Sequence, residues 1–226
     1  ALRPTLDALG LQPKADEAVT ASLLRASLVQ QLGLFGDEDV IKACRQNFDN
    51  YLKNPASVPP DLRPPTFAII MRYGDATAWQ KLHELGLKTA STEDKQYYYD
   101  ALAFAADPKL LQKSLALTLT DELPTSRAVF MVGKVARESD RPDLAWEFAK
   151  KNLKPLLAKV DALNANSYLP SLFSFFFDSA RIEELKAFAK KNLSEASQKP
   201  VEIASDEIQF RADFRKRLIE QIPSLK

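Results

Sequence analysis

The six residues Phe-Ala-Lys-Lys-Asn-Leu occur twice in this chain, at positions 148–153 and again at positions 188–193. Each copy follows apolar residues spaced three and four apart, so each is expected to end an amphipathic helix, with its lysines near the negative end of the helix dipole. The offset of 40 residues is the period of helix-pair repeats of the HEAT and armadillo type. We therefore predict an all-α superhelical solenoid of antiparallel helix pairs. A peptide- or anion-binding patch is the alternative interpretation of the lysines.

The rest of the chain follows the same helical pattern. It contains only six glycines, and few apolar residues alternate at period two, which leaves little material for strands. Caps and prolines at first helical positions divide the chain into about eleven helices. Gly33 and Gly36 are expected to end the first of them. The predicted ranges are 16–32, 37–53, 61–73, a helix from Asp75 that includes Leu85, 91–106, a helix from Asp107 that includes Leu115, 124–138, 144–160, 168–178, 181–192 and 206–222.

Composition restricts the class of protein. With 226 residues, 46% of them hydrophobic, the chain is long enough for a sizeable core, and no linker is visible, so we predict a single helical domain over residues 1–226. A formal charge of +1 disfavours nucleic acid as a partner. The sequence has no apolar stretch of membrane-spanning length and no signal peptide, so we expect a soluble protein and no membrane partner. The start at Ala1 suggests a fragment.

Candidate catalytic residues are almost absent. His83-Glu84 begins like the metalloprotease motif H-E-x-x-H, in which two histidines hold zinc, but Leu87 stands at the second ligand position. We expect His83 to be a partly exposed histidine of a helix hairpin. The single cysteine, Cys44, lies in an apolar helical stripe and is expected to be a buried structural thiol, with a reactive cysteine as the alternative. The sequence predicts no catalytic residue, no metal ligand and no cofactor in this chain.

The aromatic residues at helical spacing are expected to belong to the core. This applies to Trp79 and Trp146. The run at positions 173–177, with four phenylalanines around Ser174, leaves two alternatives. Consecutive aromatics on a helix are either buried on several sides or form an exposed apolar strip that contacts another domain. Burial is the favoured interpretation.

Several short segments, in order, resemble a known family. They are Leu-Leu-Arg-Ala at 23–26, Pro-Pro-Asp-Leu-Arg at 59–63, Ala-Leu-Ala at 101–103 and Leu-Ala-Trp-Glu-Phe at 144–148. From Ala21 to about Leu193 the chain resembles the C-terminal helical domain of the gluzincin aminopeptidases, the group with the puromycin-sensitive and endoplasmic-reticulum enzymes and their bacterial relatives. The sequence departs from the family at Leu153, where relatives often have tryptophan, and matches only loosely beyond Leu193.

The resemblance implies a role without chemistry of its own. In that family, zinc and the catalytic glutamate belong to an upstream catalytic domain of the same polypeptide, which would be the partner of this chain. The C-terminal domain closes over the active-site chamber and contacts the distal part of a peptide substrate. Related enzymes carry basic residues after the helix predicted at 124–138, which makes Arg137 the candidate substrate-binding residue. A solvated arginine at a helix end is the alternative.

A second hypothesis is an independent helical-repeat scaffold that binds proteins and belongs to no enzyme. The two hypotheses differ in what precedes Ala1 in the gene. A coding segment with H-E-x-x-H would support the aminopeptidase, whereas a start codon or an unrelated domain would support the scaffold.

Overall fold

The computed structural model describes residues 2–222, apart from the side chain of Ser126. Within this range the secondary structure consists of helices, without a strand, which confirms the predicted all-α class. The α-helices are α1 Leu2–Leu9, α2 Val19–Leu34, α3 Glu38–Lys53, α4 Arg63–Arg72, α5 Ala76–Lys88, α6 Thr92–Ala101, α7 Pro108–Ala116, α8 Thr125–Glu138, α9 Pro142–Lys151, α10 Leu153–Leu157, α11 Ala165–Phe173, α12 Arg181–Asn192 and α13 Gln198–Gln221.

Side-chain caps start three of these helices where the sequence predicted them. The carboxylate of Asp37 accepts a hydrogen bond from the Val40 amide at the start of α3. The Asp75 carboxylate accepts hydrogen bonds from the backbone amides of residues 77 and 78 at the start of α5. The Ser91 hydroxyl accepts a hydrogen bond from the backbone amide of residue 94 at the start of α6. Each cap satisfies amides that have no partner inside the helix, and this fixes the helix start.

Both copies of the repeated segment end a helix, as predicted. α9 ends at Lys151 and α12 at Asn192. In each copy the asparagine side chain donates to the carbonyl of the phenylalanine four residues earlier, from Asn152 to Phe148 at 2.9 Å and from Asn192 to Phe188 at 2.8 Å. The same six residues therefore end their helices with the same hydrogen bond.

The predicted helix 144–160 is wrong, because the chain breaks there into α9 and α10. Asn152 leaves the helical conformation, with φ −115° and ψ 26°. Pro155 lies three positions later. Proline has no backbone N–H group, so it cannot donate the hydrogen bond that a continuous helix would need at this position. In a new short helix the same proline lies in the first turn, where no donor is needed.

Other boundaries also differ from the prediction. α1 was not predicted, and α13 begins at Gln198, eight residues before the predicted start. Gly33 does not end α2 but lies inside it, whereas Gly36 follows the helix with a left-handed φ of +90°. The run at 168–178 is helical only to Phe173.

The chain divides into two compact units, residues 1–114 and residues 115–226. In the first, the ring of Phe67 packs against those of Phe48, Tyr51 and Tyr98. In the second, Trp146 packs against the rings of two phenylalanines, at positions 173 and 188. The single domain over residues 1–226 and the solenoid arrangement stay predictions.

The expected core residues are largely buried. Trp79, Trp146 and Cys44 are all buried, as predicted. The phenylalanine run divides, with Phe173 and Phe176 buried and Phe177 exposed, so burial is confirmed for only part of it. Among the described residues no helix has both the length and the apolar character needed to cross a membrane.

Candidate functional site

Helix α8 carries the predicted site residue, Arg137, in its last turn. The helix starts directly after Pro124, one residue later than predicted. Val129, Val132 and Val135, spaced three residues apart, face inward and are buried. The side of α8 that carries the three valines packs against the rest of the second unit, so the opposite side of the helix faces solvent.

The solvent side of α8 is a basic face, which we define as Arg127, Phe130, Lys134 and Arg137. Their spacings of three, four and three residues place them along one side of the helix. Phe130 is 63% exposed, Arg127 is exposed and Lys134 is half-buried. The face therefore combines three cationic side chains with one exposed aromatic ring.

Arg137 is held at one end of its guanidinium group only. Its Nε donates to the Glu138 carboxylate at 2.7 Å, and the Arg137 side chain is 52% exposed. Within residues 2–222 the two terminal nitrogens of Arg137 have no other partner. A guanidinium group with both terminal nitrogens directed to solvent can bind a carboxylate through two parallel hydrogen bonds.

The end of the helix is fixed next to this arginine. The Ser139 hydroxyl donates to the Val135 carbonyl at 2.6 Å and accepts the Arg141 amide at 3.2 Å. Ser139 is buried, and its two hydrogen bonds fix the backbone that carries Arg137. The end of α8 therefore has a fixed backbone and carries an exposed guanidinium group, that of Arg137.

The sequence analysis predicted a binding role for Arg137, which stays a prediction, and did not predict the other three members of the basic face. Their signal is present, because the buried valines at 129, 132 and 135 define the opposite side of the helix. Helical geometry places Arg127, Phe130 and Lys134 on the side of α8 opposite these valines, so the sequence alone could have predicted that they share one exposed face.

The described residues 2–222 contain no group of three or more His, Cys, Asp or Glu side chains that could hold a metal ion. His83 lies between the rings of Trp79 and Tyr99, at centroid distances of 4.8 and 5.8 Å, and is partly exposed as predicted. Burial raises the pKa of the Cys44 thiol to about 12, so the thiol is protonated at neutral pH. Neither residue has the surroundings of a catalytic group.

Comparison with known proteins assigns the chain to one group. The family model described as ERAP1-like C-terminal domain matches residues 1–210. The chain is 26% identical over 148 residues to Aminopeptidase M1 of Arabidopsis thaliana, covering 63% of this chain and 17% of that protein. It is 25% identical over 224 residues to the glutamyl aminopeptidase of Bos taurus, covering 96% and 23%. It is 23% identical over 162 residues to the puromycin-sensitive aminopeptidase of Caenorhabditis elegans, covering 71% and 17%. The chain thus spans about a fifth of the length of the curated relatives it matches.

Proposed function

The chain belongs to the family of ERAP1-like C-terminal domains, and we propose that it is the non-catalytic C-terminal domain of a zinc-dependent aminopeptidase. The match of the family model over residues 1–210 carries this proposal, since it covers nearly the whole chain. The similar curated proteins are aminopeptidases by name, and each is several times longer than this chain.

The chemistry is assigned to a separate catalytic domain of the same polypeptide. A catalytic zinc site needs three protein ligands and an open position for water. The residues of the described range do not fit this requirement, because they contain no cluster of three potential ligands. In our proposal the zinc ion therefore lies in the catalytic domain, and this chain provides no ligand to it.

The role proposed for the chain is to enclose the active-site chamber and to contact the part of a peptide that lies far from the scissile bond. The basic face of α8 supports this role. A peptide that enters with its amino end first presents its carboxylate last, and Arg137 has two terminal nitrogens available for that group. The exposed ring of Phe130 offers apolar contact to a side chain of the same peptide.

The direct test is to compare the full-length protein, expressed from its complete reading frame, with the 226-residue chain. We expect the full-length protein to bind zinc stoichiometrically and to release amino-terminal residues from aminoacyl-nitroanilides. The isolated chain should do neither. A complete reading frame without a zinc-binding segment, or with an unrelated domain, would overturn the proposal in favour of an independent scaffold.

A further inference from the structure

A cleft of about 480 Å³ lies between α12 and α13 in the second unit. Its volume falls within the range of about 300 to 1,000 Å³ that is usual for small-molecule sites. Its floor is aliphatic, formed by Ala189, Leu193 and Val201. Two of these, at positions 189 and 201, are buried, so the floor belongs to the fixed core of the unit.

Four charged side chains line the cleft, two lysines and two glutamates, so the lining has no net charge. Two of the four are neutralised by neighbours outside the lining: Lys186 pairs with Glu183 at 3.2 Å, and Glu202 pairs with Lys199 at 3.1 Å. The other two are Lys190 and Glu195. In the described part of the chain neither has a hydrogen bond or ion pair, and no contact within 4.0 Å joins them. The cleft therefore presents one free cation and one free anion, separated by space.

The repeated segment shows that the free lysine is not a property of the six residues themselves. Lys150, the equivalent of Lys190 in the first copy, contacts Glu147 at 2.6 Å and Glu184 at 3.0 Å. It also lies 4.9 Å from the centre of the Trp146 ring. In the second copy, Ala187 occupies the position equivalent to Glu147. The lysine of the repeated segment therefore forms ion pairs in the first copy, whereas in the second copy it is available to bind a ligand.

We propose that this cleft binds a zwitterionic ligand, an aliphatic α-amino acid or a dipeptide of such residues. Lys190 would bind the carboxylate, Glu195 would bind the ammonium group, and the aliphatic side chain would lie on the floor. A ligand with two negative charges fits less well, because one of them would lie near the carboxylate of Glu195. The proposal concerns this chain alone and does not depend on the parent enzyme.

The test is a titration of the ¹⁵N-labelled 226-residue chain with L-leucine and, separately, with L-leucyl-L-leucine. Two exposed charge pairs and one small apolar contact suggest a dissociation constant of about 1 mM. We expect saturable amide shifts centred on Leu193 and Val201. The ligand with the lower dissociation constant identifies whether a single residue or a dipeptide fills the cleft.

Charge-matched variants locate the site. Lys190→Gln should weaken L-leucine binding about threefold to fivefold, the usual size for an exposed ion pair. Lys191→Gln is the control, since Lys191 is the adjacent lysine of the same segment and lies outside the cleft lining. N-acetyl-L-leucine, which has no ammonium group, should bind more weakly than leucine and should be insensitive to Glu195→Gln. The proposal is overturned if neither ligand gives saturable shifts at the cleft, or if Lys191→Gln weakens binding as much as Lys190→Gln.

Discussion

Arg25 and Glu17 are joined by two hydrogen bonds of 2.6 Å, one from each terminal guanidinium nitrogen to a different carboxylate oxygen. Arg25 is only 1% exposed, and its Nε also donates to the Gly10 carbonyl at 2.8 Å. One buried side chain therefore ties the segment between α1 and α2 to the body of the first unit.

Replacing this arginine should destabilise the chain. Arg25→Met keeps much of the apolar stem but removes every donor, so the Glu17 carboxylate and the Gly10 carbonyl lose their partner. We expect the free energy of unfolding to fall by about 2 kcal/mol, as for a lost charge-assisted hydrogen bond. Urea denaturation measures this. Arg45→Met is the control, because Arg45 is exposed and has no ion pair or hydrogen bond from its side chain among residues 2–222. Equal stability of the two variants would show that the Arg25 contacts contribute nothing.

Glu17 gives the same contact a pH dependence. Hydrogen bonding from Arg25 lowers the pKa of the Glu17 carboxyl from 4.5 to about 2. Since the folded state has the lower pKa, the contribution of Glu17 is complete above pH 4.5 and is lost as the pH falls towards 2. Wild type should therefore be more stable than Glu17→Gln at neutral pH, and the difference should shrink across this window. A difference in Tm that stays constant from pH 7 to about 2 would contradict the assignment.

The first unit also shows where sequence reasoning stops. Caps such as Asp37 are predictable because the side chain and the amide it binds are three residues apart. In α2 residue type does not identify the buried side, since Leu23 and Leu24 are exposed whereas the charged Arg25 is buried. The partners of Arg25 lie in the preceding loop, and periodicity within one helix contains no information about them.

A buried hydrogen bond between two tyrosines supplies a test by double mutation. The hydroxyl groups of Tyr51 and Tyr98 are 2.5 Å apart in the core of the first unit. Tyr51→Phe or Tyr98→Phe alone leaves a buried hydroxyl without its partner and should cost about 1 to 3 kcal/mol. The double variant removes both hydroxyls and should cost less than the sum of the two. Additive losses in thermal unfolding would mean that the two hydroxyls are not coupled.

Two glycines inside helices should respond to alanine in opposite directions. A Cβ atom at Gly33 would lie 2.5 Å from Cδ1 of the buried Ile69, so Gly33→Ala should destabilise by about 1 to 3 kcal/mol. At Gly133 the nearest heavy atom would be Cδ2 of Leu172 at 3.5 Å, an ordinary contact. Gly133→Ala should therefore stabilise by up to about 1 kcal/mol through helix propensity. Chemical denaturation of both variants measures the difference, and an equal change of the same sign would refute it.

The part of the candidate site that could be predicted from the sequence is the side of α8 on which each residue lies. The spacing of the valines in α8 identifies its buried side, and the positions of Phe130 and Arg137 on the other side follow from helical geometry. Which cations stay free does not follow. Lys150 and Lys190 lie in copies of the same segment, but Lys150 is held by two glutamates. Glu147, three residues earlier, is one of them, and the second copy has an alanine at the equivalent position. The other, Glu184, is 34 residues away, and spacing along one helix does not predict that contact.

The proposed role predicts that the chain affects long substrates only. The most direct measurement is kcat/KM of the full-length enzyme for a long peptide and for an aminoacyl-nitroanilide, before and after Arg137→Ala. Arg215→Ala, which removes an exposed arginine on α13, is the control. We expect Arg137→Ala to lower kcat/KM for the long peptide about fivefold, the loss of one exposed charge contact, and to leave the nitroanilide unchanged. If both substrates respond equally, if neither responds, or if Arg215→Ala has the same effect, the chain does not contact the distal part of the substrate through Arg137.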